Sequence, residues 1–356
     1  MRSARWGGAA AVALLLAMPS GAVASAQAQP VPEPRERCRV GDSDLDELSG
    51  LASDGRSWYA VNDGGSSLEV YVLDPADCSV RDVRTGSANP YDVEDLALGA
   101  DGTLWLADTG DNDRDRDSIA LHALSPRGGS TLYRLTYPNG PRDAEALLLD
   151  RAGVPYIVTK EPIGPAGVYR PAGALAPGGT VPMERVGTIS LRSTNTPGGP
   201  LSGSIGSVLV TGGAASRDGT VAAIRTYTEL YLFDAPDGDL AAAFARPPVR
   251  VSVPGEPQGE AIAWEPDGTL LTASEGTGEP VRALAGAADL ARNHPPDTPP
   301  TPTRDGGGEG SGDNASPPVP PPSTTGADLS NGQLLLLCLG AAGVLVFLTR
   351  RARRKQ

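Results

Sequence analysis

The sequence predicts an all-β fold of the β-propeller type, and a repeated segment carries that prediction. Three stretches align closely, at residues 92–112, 143–162 and 258–276, and two looser copies occupy residues 46–65 and 209–228. Each copy combines a polar start, a short apolar strand, a turn containing glycine and a second strand. A hairpin that recurs every ~45–65 residues is typical of a propeller in which each repeat forms one blade.

Each blade is predicted to be a four-stranded antiparallel sheet. In the clearest copy the strands fall at residues 94–99, 103–108, 119–125 and 131–138, with an Asp-Gly pair turning the first hairpin. The same pattern extends over residues 35–290, which we assign to the propeller domain.

The last repeat offers only three strands, at residues 260–266, 269–276 and 281–286. A further strand pattern, at residues 36–40, has no blade of its own near the N-terminus. We therefore expect the N-terminal strand to close the last blade, because closure protects the sheet edges. This gives five blades. Six is the alternative, if the irregular segment 195–207 is a degraded blade rather than a long loop.

Two of the three cysteines fit this closure. Cys38 lies on the extra N-terminal strand and Cys78 lies in the first blade, whereas Cys338 belongs to an apolar segment near the C-terminus. An even pair of cysteines in an exported domain predicts a disulfide. This disulfide would join the two ends of the ring.

The segments outside the propeller predict an exported protein with one membrane anchor. Residues 1–26 have basic residues, an apolar run and small residues in the order of a signal peptide. Residues 291–328 are rich in Pro, Gly and Ser, as in a disordered stalk. Residues 329–349 predict a transmembrane helix, and the basic residues 350–356 predict a cytoplasmic tail. The expected location is the cell membrane, with the propeller outside.

The charge balance restricts the partners. The chain has a net charge of −13, and seven basic residues lie in its two termini, which leaves the segment between them at about −20. Such a domain repels phosphate backbones, so we expect no nucleic acid partner. We expect a monomer that meets an extracellular ligand, an envelope polymer or a protein.

The repeats also align a set of acidic residues. In an antiparallel hairpin, the start of the first strand and the end of the second lie at the same edge of the sheet. Acidic residues at these places should therefore meet at one mouth of the central channel that the blades of a propeller surround. Closely spaced carboxylates are typical ligands of Ca²⁺. The candidate metal ligands are Glu94, Glu145, Glu260, Asp63 and Asp108.

Charged residues near the same edge are candidates for ligand binding, namely Lys160, Glu161, Arg225 and Glu275. A serine hydrolase is not predicted. The sequence has no G-x-S-x-G motif, and its two histidines, His122 and His294, fall in a third strand and in the stalk.

The strand starts `LSGLA`, `EDLAL` and `EALLL`, with the strand ends `VNDGG` and `ADTGDN`, resemble the secreted phytase-like and SdiA-regulated-like β-propellers of bacteria. The resemblance covers about residues 48–284. It implies a central acidic cluster that holds Ca²⁺ and, in the phytase type, Lys and Arg side chains that bind substrate phosphates. The chain has few such cations at the mouth. We therefore expect a ligand- or partner-binding module first, with a Ca²⁺-dependent phosphoester hydrolase or a lactonase-like hydrolase as alternatives.

Overall fold

The computed structural model describes residues 31–293 apart from Gly65, Ser202 and Gly203. The chain begins with strand β1 (Arg35–Arg39) and a 3₁₀ turn at Ser43–Leu45. A first sheet follows, formed by β2 (Leu48–Ser53), β3 (Trp58–Asn62), β4 (Leu68–Leu73) and β5 (Val80–Gly86).

The next two groups of four strands join into one eight-stranded sheet. The first group contains β6 (Val93–Leu98), β7 (Leu104–Asp108), β8 (Ile119–Leu124) and β9 (Ser130–Thr136). The second contains β10 (Ala144–Leu149), β11 (Pro155–Thr159), β12 (Ala166–Pro171) and β13 (Thr180–Ile189). Each group is antiparallel internally, and the outer strands β9 and β13 connect the two groups by a short parallel pairing.

A further sheet contains β14 (Val210–Ala215), β15 (Val221–Thr226), β16 (Glu229–Asp234) and β17 (Val249–Ser252), with helix α1 (Leu240–Phe244) before its last strand. The last sheet contains β18 (Gly259–Trp264), β19 (Leu270–Ser274) and β20 (Pro280–Leu284). In that sheet β1 pairs antiparallel with β20 as the outer strand. The N-terminal strand therefore occupies the place that the sequence predicts for it.

The first strands of the groups pack side by side in the order β2, β6, β10, β14, β18 and back to β2. They form a closed ring, and apolar clusters fill the space between neighbouring groups. In the cluster between the first and last sheets, Trp58 is buried and donates its indole N–H to Glu265 Oε1 at 2.5 Å. The predicted all-β, propeller-type architecture is confirmed.

The predicted disulfide between Cys38 and Cys78 is also confirmed, with a Cα–Cα distance of 5.6 Å. Cys38 lies on β1, in the last sheet, and Cys78 lies in the turn between β4 and β5, in the first sheet. The bond therefore links the two sheets where the ring closes. A link between residues 40 apart restricts the unfolded chain, which stabilises the fold by ~3–4 kcal/mol in the chain-entropy model.

One feature differs from the expected outline, and a second agrees with the expected long loop. Helix α2 (Ala287–Asn293) follows β20, packs against β15 and β16, and runs to Asn293, three residues beyond the predicted domain end. The described residues of the segment 195–207 form no strand, and a 3₁₀ turn lies at Ile205–Ser207.

The predicted signal peptide at 1–26, the transmembrane helix at 329–349 and the basic tail lie outside the described residues, as does the stalk beyond residue 293. Within the part of the chain that the structure describes, neither helix has the length and apolar character needed to cross a bilayer.

Asp95 is a fully buried carboxylate at the centre of the ring. It lies on β6, and its Oδ2 accepts hydrogen bonds from Leu147 N on β10 at 2.7 Å and from Gly213 N on β14 at 3.2 Å. Its Oδ1 accepts from Leu96 N at 2.7 Å. One side chain thereby ties three first strands together. Burial raises the pKa of Asp95 well above its usual value, although the three N–H groups oppose this shift.

We expect Asp95→Ala to destabilise the domain by several kcal/mol, because it leaves three buried N–H groups without an acceptor at roughly 1–3 kcal/mol each. Asp95→Asn should cost less, since one amide oxygen still serves Leu147 and Gly213. Urea unfolding at pH 5 and pH 8 measures both losses.

The loss caused by Asp95→Asn should also shrink as the pH rises. A carboxyl with a raised pKa contributes stability below its ordinary pKa and loses that contribution as the pH rises through the raised value. Equal losses for Asn and Ala would contradict the assigned role.

Candidate metal centre

A β-bulge occurs at the same place in all five first strands. In each group, the register between the first and second strands shifts by one residue. The extra residue on the first strand is the polar one that the repeats align. The five bulged residues are Ser49, Glu94, Glu145, Thr211 and Glu260. A bulge re-aims a side chain and is common beside functional sites. The ring of first strands therefore presents five equivalent polar positions at one end.

The two hydroxyl members of this set bond to the neighbouring strand. Ser49 Oγ donates to Glu94 O at 2.6 Å, and Thr211 Oγ1 donates to Gly259 O at 2.7 Å. The glutamates have longer side chains and extend beyond the strand edge to meet other acids. Hydroxyls at these positions therefore support the ring, whereas carboxylates form the site.

Five carboxylates form an acidic cluster, which consists of Asp63, Asp92, Glu94, Asp143 and Glu145. Asp63, Asp92 and Glu94 each offer an oxygen within 4.8 Å of the others, and so do Glu94, Asp143 and Glu145. Glu94 belongs to both groups. Four of the five are buried, and Asp92 is half-buried. Three of the predicted metal ligands, Asp63, Glu94 and Glu145, therefore meet here.

Sequence reasoning did not select Asp92 and Asp143, although a signal was present. Each stands two residues before a clustered glutamate, in the pattern Asp-x-Glu, and each is the first residue of its repeat. Each precedes the first residue of its strand and so lies at the same end of the ring as the glutamate. The pattern could therefore have identified both residues.

Gly110 lies against the acidic cluster. A Cβ atom on this residue would collide with Glu94 Oε1 and with Asp92 Oδ2. The segment after β7 can therefore approach these carboxylates only with glycine at this position. Asp143 Oδ1 accepts from Asp111 N at 3.0 Å, so the same segment also contacts the other side of the cluster.

One ammonium group adjoins the cluster. Lys160 Nζ forms an ion pair with Glu145 Oε1 and donates to Tyr227 Oη at 3.0 Å. Glu145 Oε2 is buried and has no hydrogen-bond partner among the described residues. Glu260 lies near this pair, and its Oε1 accepts from Gln258 Nε2 at 3.1 Å. Its Oε2 is also buried and has no hydrogen-bond partner among the described residues. The positive charge of Lys160 therefore offsets only part of the negative charge of the cluster.

The pKa values reflect this imbalance. Burial, and then repulsion from Asp63, Glu145, Asp92 and Asp143, raises the pKa of Glu94 well above its usual value. Burial also raises the pKa of Glu145, although Lys160 opposes this shift. Burial would lower the pKa of Lys160, but the surrounding carboxylates raise it well above its usual value. Crowded acids without enough positive charge are the electrostatic setting of a cation site.

Asp108, also predicted as a metal ligand, is engaged by protein donors. Its Oδ1 accepts from Arg116 Nη2 at 2.8 Å and from Asp92 N at 3.0 Å, and its Oδ2 contacts His122 Nε2 at 3.1 Å. Although burial raises the pKa of Asp108, these donors outweigh it and hold the pKa below its usual value. Asp108 therefore positions the backbone of Asp92, and it lies outside both carboxylate groups found among the described residues.

The predicted ligand-binding residues have different surroundings. Arg225 is fully buried, forms an ion pair with Glu256, and donates to Ala261 O at 2.9 Å and Ala273 O at 3.0 Å. Burial lowers its pKa to about 9. Arg225 thus connects β15 to the last sheet inside the domain, and it has no exposed surface with which to contact a ligand.

Two predicted residues and two apolar residues lie around the mouth. Glu161 forms ion pairs with Arg114 at 2.9 Å and with Arg142 at 3.6 Å, and Glu275 follows β19 with its N–H bonded to Gln258 O. Tyr91, next to Asp92, is 64% exposed, and Ile163, three residues after Lys160, is 62% exposed. Both side chains are therefore open to solvent.

No protein-family model matches the sequence. No curated protein matches it either. Among solved structures, the chain is similar to a hydrazine synthase from Kuenenia stuttgartiensis, with a TM-score of 0.38, 13% identity and coverage of 68% of this chain and 97% of that one. It is also similar to a gluconolactonase from Xanthomonas campestris, with a TM-score of 0.39, 13% identity and coverage of 72% and 98%. At this level of similarity neither protein bears on the activity of this chain.

Without metal, Glu94→Gln should stabilise the domain at pH 7 by roughly 1–2 kcal/mol, the scale of one pKa unit. The raised pKa of Glu94 means that its contribution to stability falls as the pH rises through that value, so the gain should grow from pH 5 to pH 8. Asp108→Asn is the matched control: its lowered pKa predicts a loss of stability at pH 7. Urea unfolding in EDTA measures both, and a loss in Glu94→Gln would contradict the expected repulsion.

Proposed function

We propose that the acidic cluster binds Ca²⁺ and that the domain is a ligand-binding module whose ligand contacts the bound cation. The observation that carries this proposal is the pair of overlapping carboxylate groups that share Glu94. The buried, unpartnered Oε2 of Glu145 independently supports a missing positive partner. Every candidate ligand atom is a carboxylate oxygen, and calcium prefers six to eight oxygen ligands.

In this proposal each carboxylate group holds the cation from one side, and Glu94 contributes to both. The bound cation would supply a concentrated positive charge that binds anionic or hydroxyl oxygens. Five carboxylates that each offer one oxygen do not fill the six to eight positions of a calcium coordination sphere. Coordination positions therefore remain for water or for oxygens of a ligand. Tyr91 and Ile163 would contact apolar parts of that ligand.

The proposal includes the architecture around the site. We infer five blades, since five first strands close the ring and β1 completes the last sheet.

We further propose that the domain lies outside the cell on a single-pass anchor at 329–349, with the tail inside. The disulfide supports an oxidising compartment. The acidic charge supports a monomeric protein that meets a small ligand, an envelope polymer or a protein rather than nucleic acid.

Calcium should stabilise the wild-type domain, by ~2.7 kcal/mol when free Ca²⁺ is a hundredfold above its dissociation constant. Glu145→Gln removes one ligand charge and should weaken calcium binding at least tenfold. Affinity should also fall as the pH falls through the raised pKa values of Glu94 and Glu145, because protons compete with the cation. Thermal unfolding and calorimetric titration at several pH values measure these effects.

The matched control is Glu161→Gln, which changes a neighbouring carboxylate that already has two arginine partners. This variant should bind calcium within about twofold of the wild type. A melting temperature that responds neither to Ca²⁺ nor to EDTA would refute the metal site and leave the acidic cluster with a structural role only.

A metal-dependent hydrolase is the second candidate, and the Lys160–Tyr227 pair favours it. A buried ammonium bonded to a phenol, beside clustered carboxylates, is suited to bind a developing negative charge on a substrate oxygen. If the domain is a hydrolase, it should release product from a phosphomonoester or a lactone with Ca²⁺ but not in EDTA. Lys160→Met should then abolish turnover, whereas Glu161→Gln should not. No turnover on either substrate class in calcium would exclude this candidate and favour the binding module.

A further inference from the structure

A cavity lies at the end of the ring opposite the acidic cluster. Its volume is about 560 Å³, which is within the range of small-molecule sites. Turns between the first and second strands line it: residues 54 and 56 after β2, residues 99–102 after β6, and residue 217 after β14. These turns lie at the far ends of the first strands from the bulges. The cavity is thus separate from the candidate metal centre.

Three guanidinium groups line this cavity, from Arg56, Arg84 and Arg217. They come from three separate chain segments, and Arg217 belongs to a sheet that is not adjacent in the ring to the first sheet. The domain as a whole is strongly acidic. Three arginines in one cavity of such a domain are a local reversal of its charge.

The arginines differ in how they are held. Arg84 is half-buried and lies over the ring of Tyr59 at 5.0 Å, and Tyr59 Oη donates to Asp54 Oδ2 at 2.8 Å. Among the described residues, the side chains of Arg56 and Arg217 form no hydrogen bond or ion pair. One guanidinium is therefore fixed in place, and two keep all their donors available for a ligand.

Two carboxylates share the cavity, but both are already engaged. Asp54 also accepts from Arg56 N and Ser57 N at 2.8 Å, and Asp101 accepts from Thr103 N at 3.0 Å and Thr103 Oγ1 at 2.9 Å. These acids shape the turns, and Asp54 is also attracted electrostatically to Arg56, although no hydrogen bond or ion pair joins the two side chains. The cavity keeps a net positive charge.

We infer that this cavity binds a tetrahedral oxyanion, a phosphate or sulfate group, carried by a ligand about the size of a monosaccharide. Guanidinium groups match such oxyanions with paired N–H donors and remain charged at all relevant pH values. The volume exceeds that of a single oxyanion, which leaves room for the group that carries it. The site does not depend on the proposed calcium site.

The test is calorimetric titration of the domain with sodium phosphate, sodium sulfate and glucose 6-phosphate, in EDTA and at constant ionic strength set with NaCl. We expect binding of all three, tightest for glucose 6-phosphate. The double variant Arg56→Gln/Arg217→Gln should bind at least tenfold more weakly. Both side chains are exposed and form no hydrogen bond or ion pair, and only the attraction between Arg56 and Asp54 is lost, so the melting temperature without ligand should stay close to that of the wild type.

Two controls define the outcome. Arg185→Gln changes an exposed arginine on β13, away from the cavity, and should bind as the wild type does. Glu145→Gln, at the opposite end, should also bind phosphate normally, which separates this inference from the calcium proposal. Heat signals that NaCl alone reproduces, or equal affinity in the double variant and the wild type, would overturn the inference.

Discussion

The structure depends on the closure of five first strands into one ring. Closure places five bulged residues at a single end, so the chemistry of that end follows from a backbone constraint. The ring is closed by strand β1, by the bond between Cys38 and Cys78, and by the bond from Trp58 to Glu265. The disulfide and the Trp58–Glu265 bond join the first and last sheets, whereas β1 completes the last sheet and then leads into β2 of the first.

Crowding of carboxylates at that end costs stability, and the surrounding residues limit the cost in different ways. Lys160 compensates charge directly, by its ion pair with Glu145. Asp108 acts through the backbone, since it accepts from the N–H of Asp92 while Arg116 and His122 hold its own oxygens. Gly110 acts by its small size, which lets the chain pass against Glu94. The cluster is therefore held in place by its neighbours, yet its charge is not neutralised. The proposed cation site requires this combination, whereas in a set of structural ion pairs the charges would be matched.

The sequence predicted the fold well because a repeat reports backbone periodicity. Aligned residues occupy equivalent places on a ring, so the sequence alone places Glu94 and Glu145 at one end. The same reasoning could not distinguish a side chain that faces the mouth from one that turns into the domain. Arg225 lies near the correct end but points between two sheets, where Glu256 and two carbonyl groups hold it. Asp95 was missed for a similar reason. It follows Glu94 directly, and only the packing of β6 against β10 and β14 shows that its carboxylate has three backbone donors.

Asp95 also bears on whether binding at one end of the ring can affect binding at the other. Its carboxylate bonds to β10 and β14 from β6, between the acidic cluster at one end and the arginine-lined cavity at the other. Because the first strands have six residues, as in β6, a cation and an oxyanion bound at the two solvent-accessible ends would lie roughly 20 Å apart. This separation exceeds a Debye length, so salt would largely screen their attraction. Coupling between the ends would instead require movement of the first strands, and Asp95 opposes that movement by tying three of them together. If both proposed sites exist, we therefore expect them to bind their ligands independently.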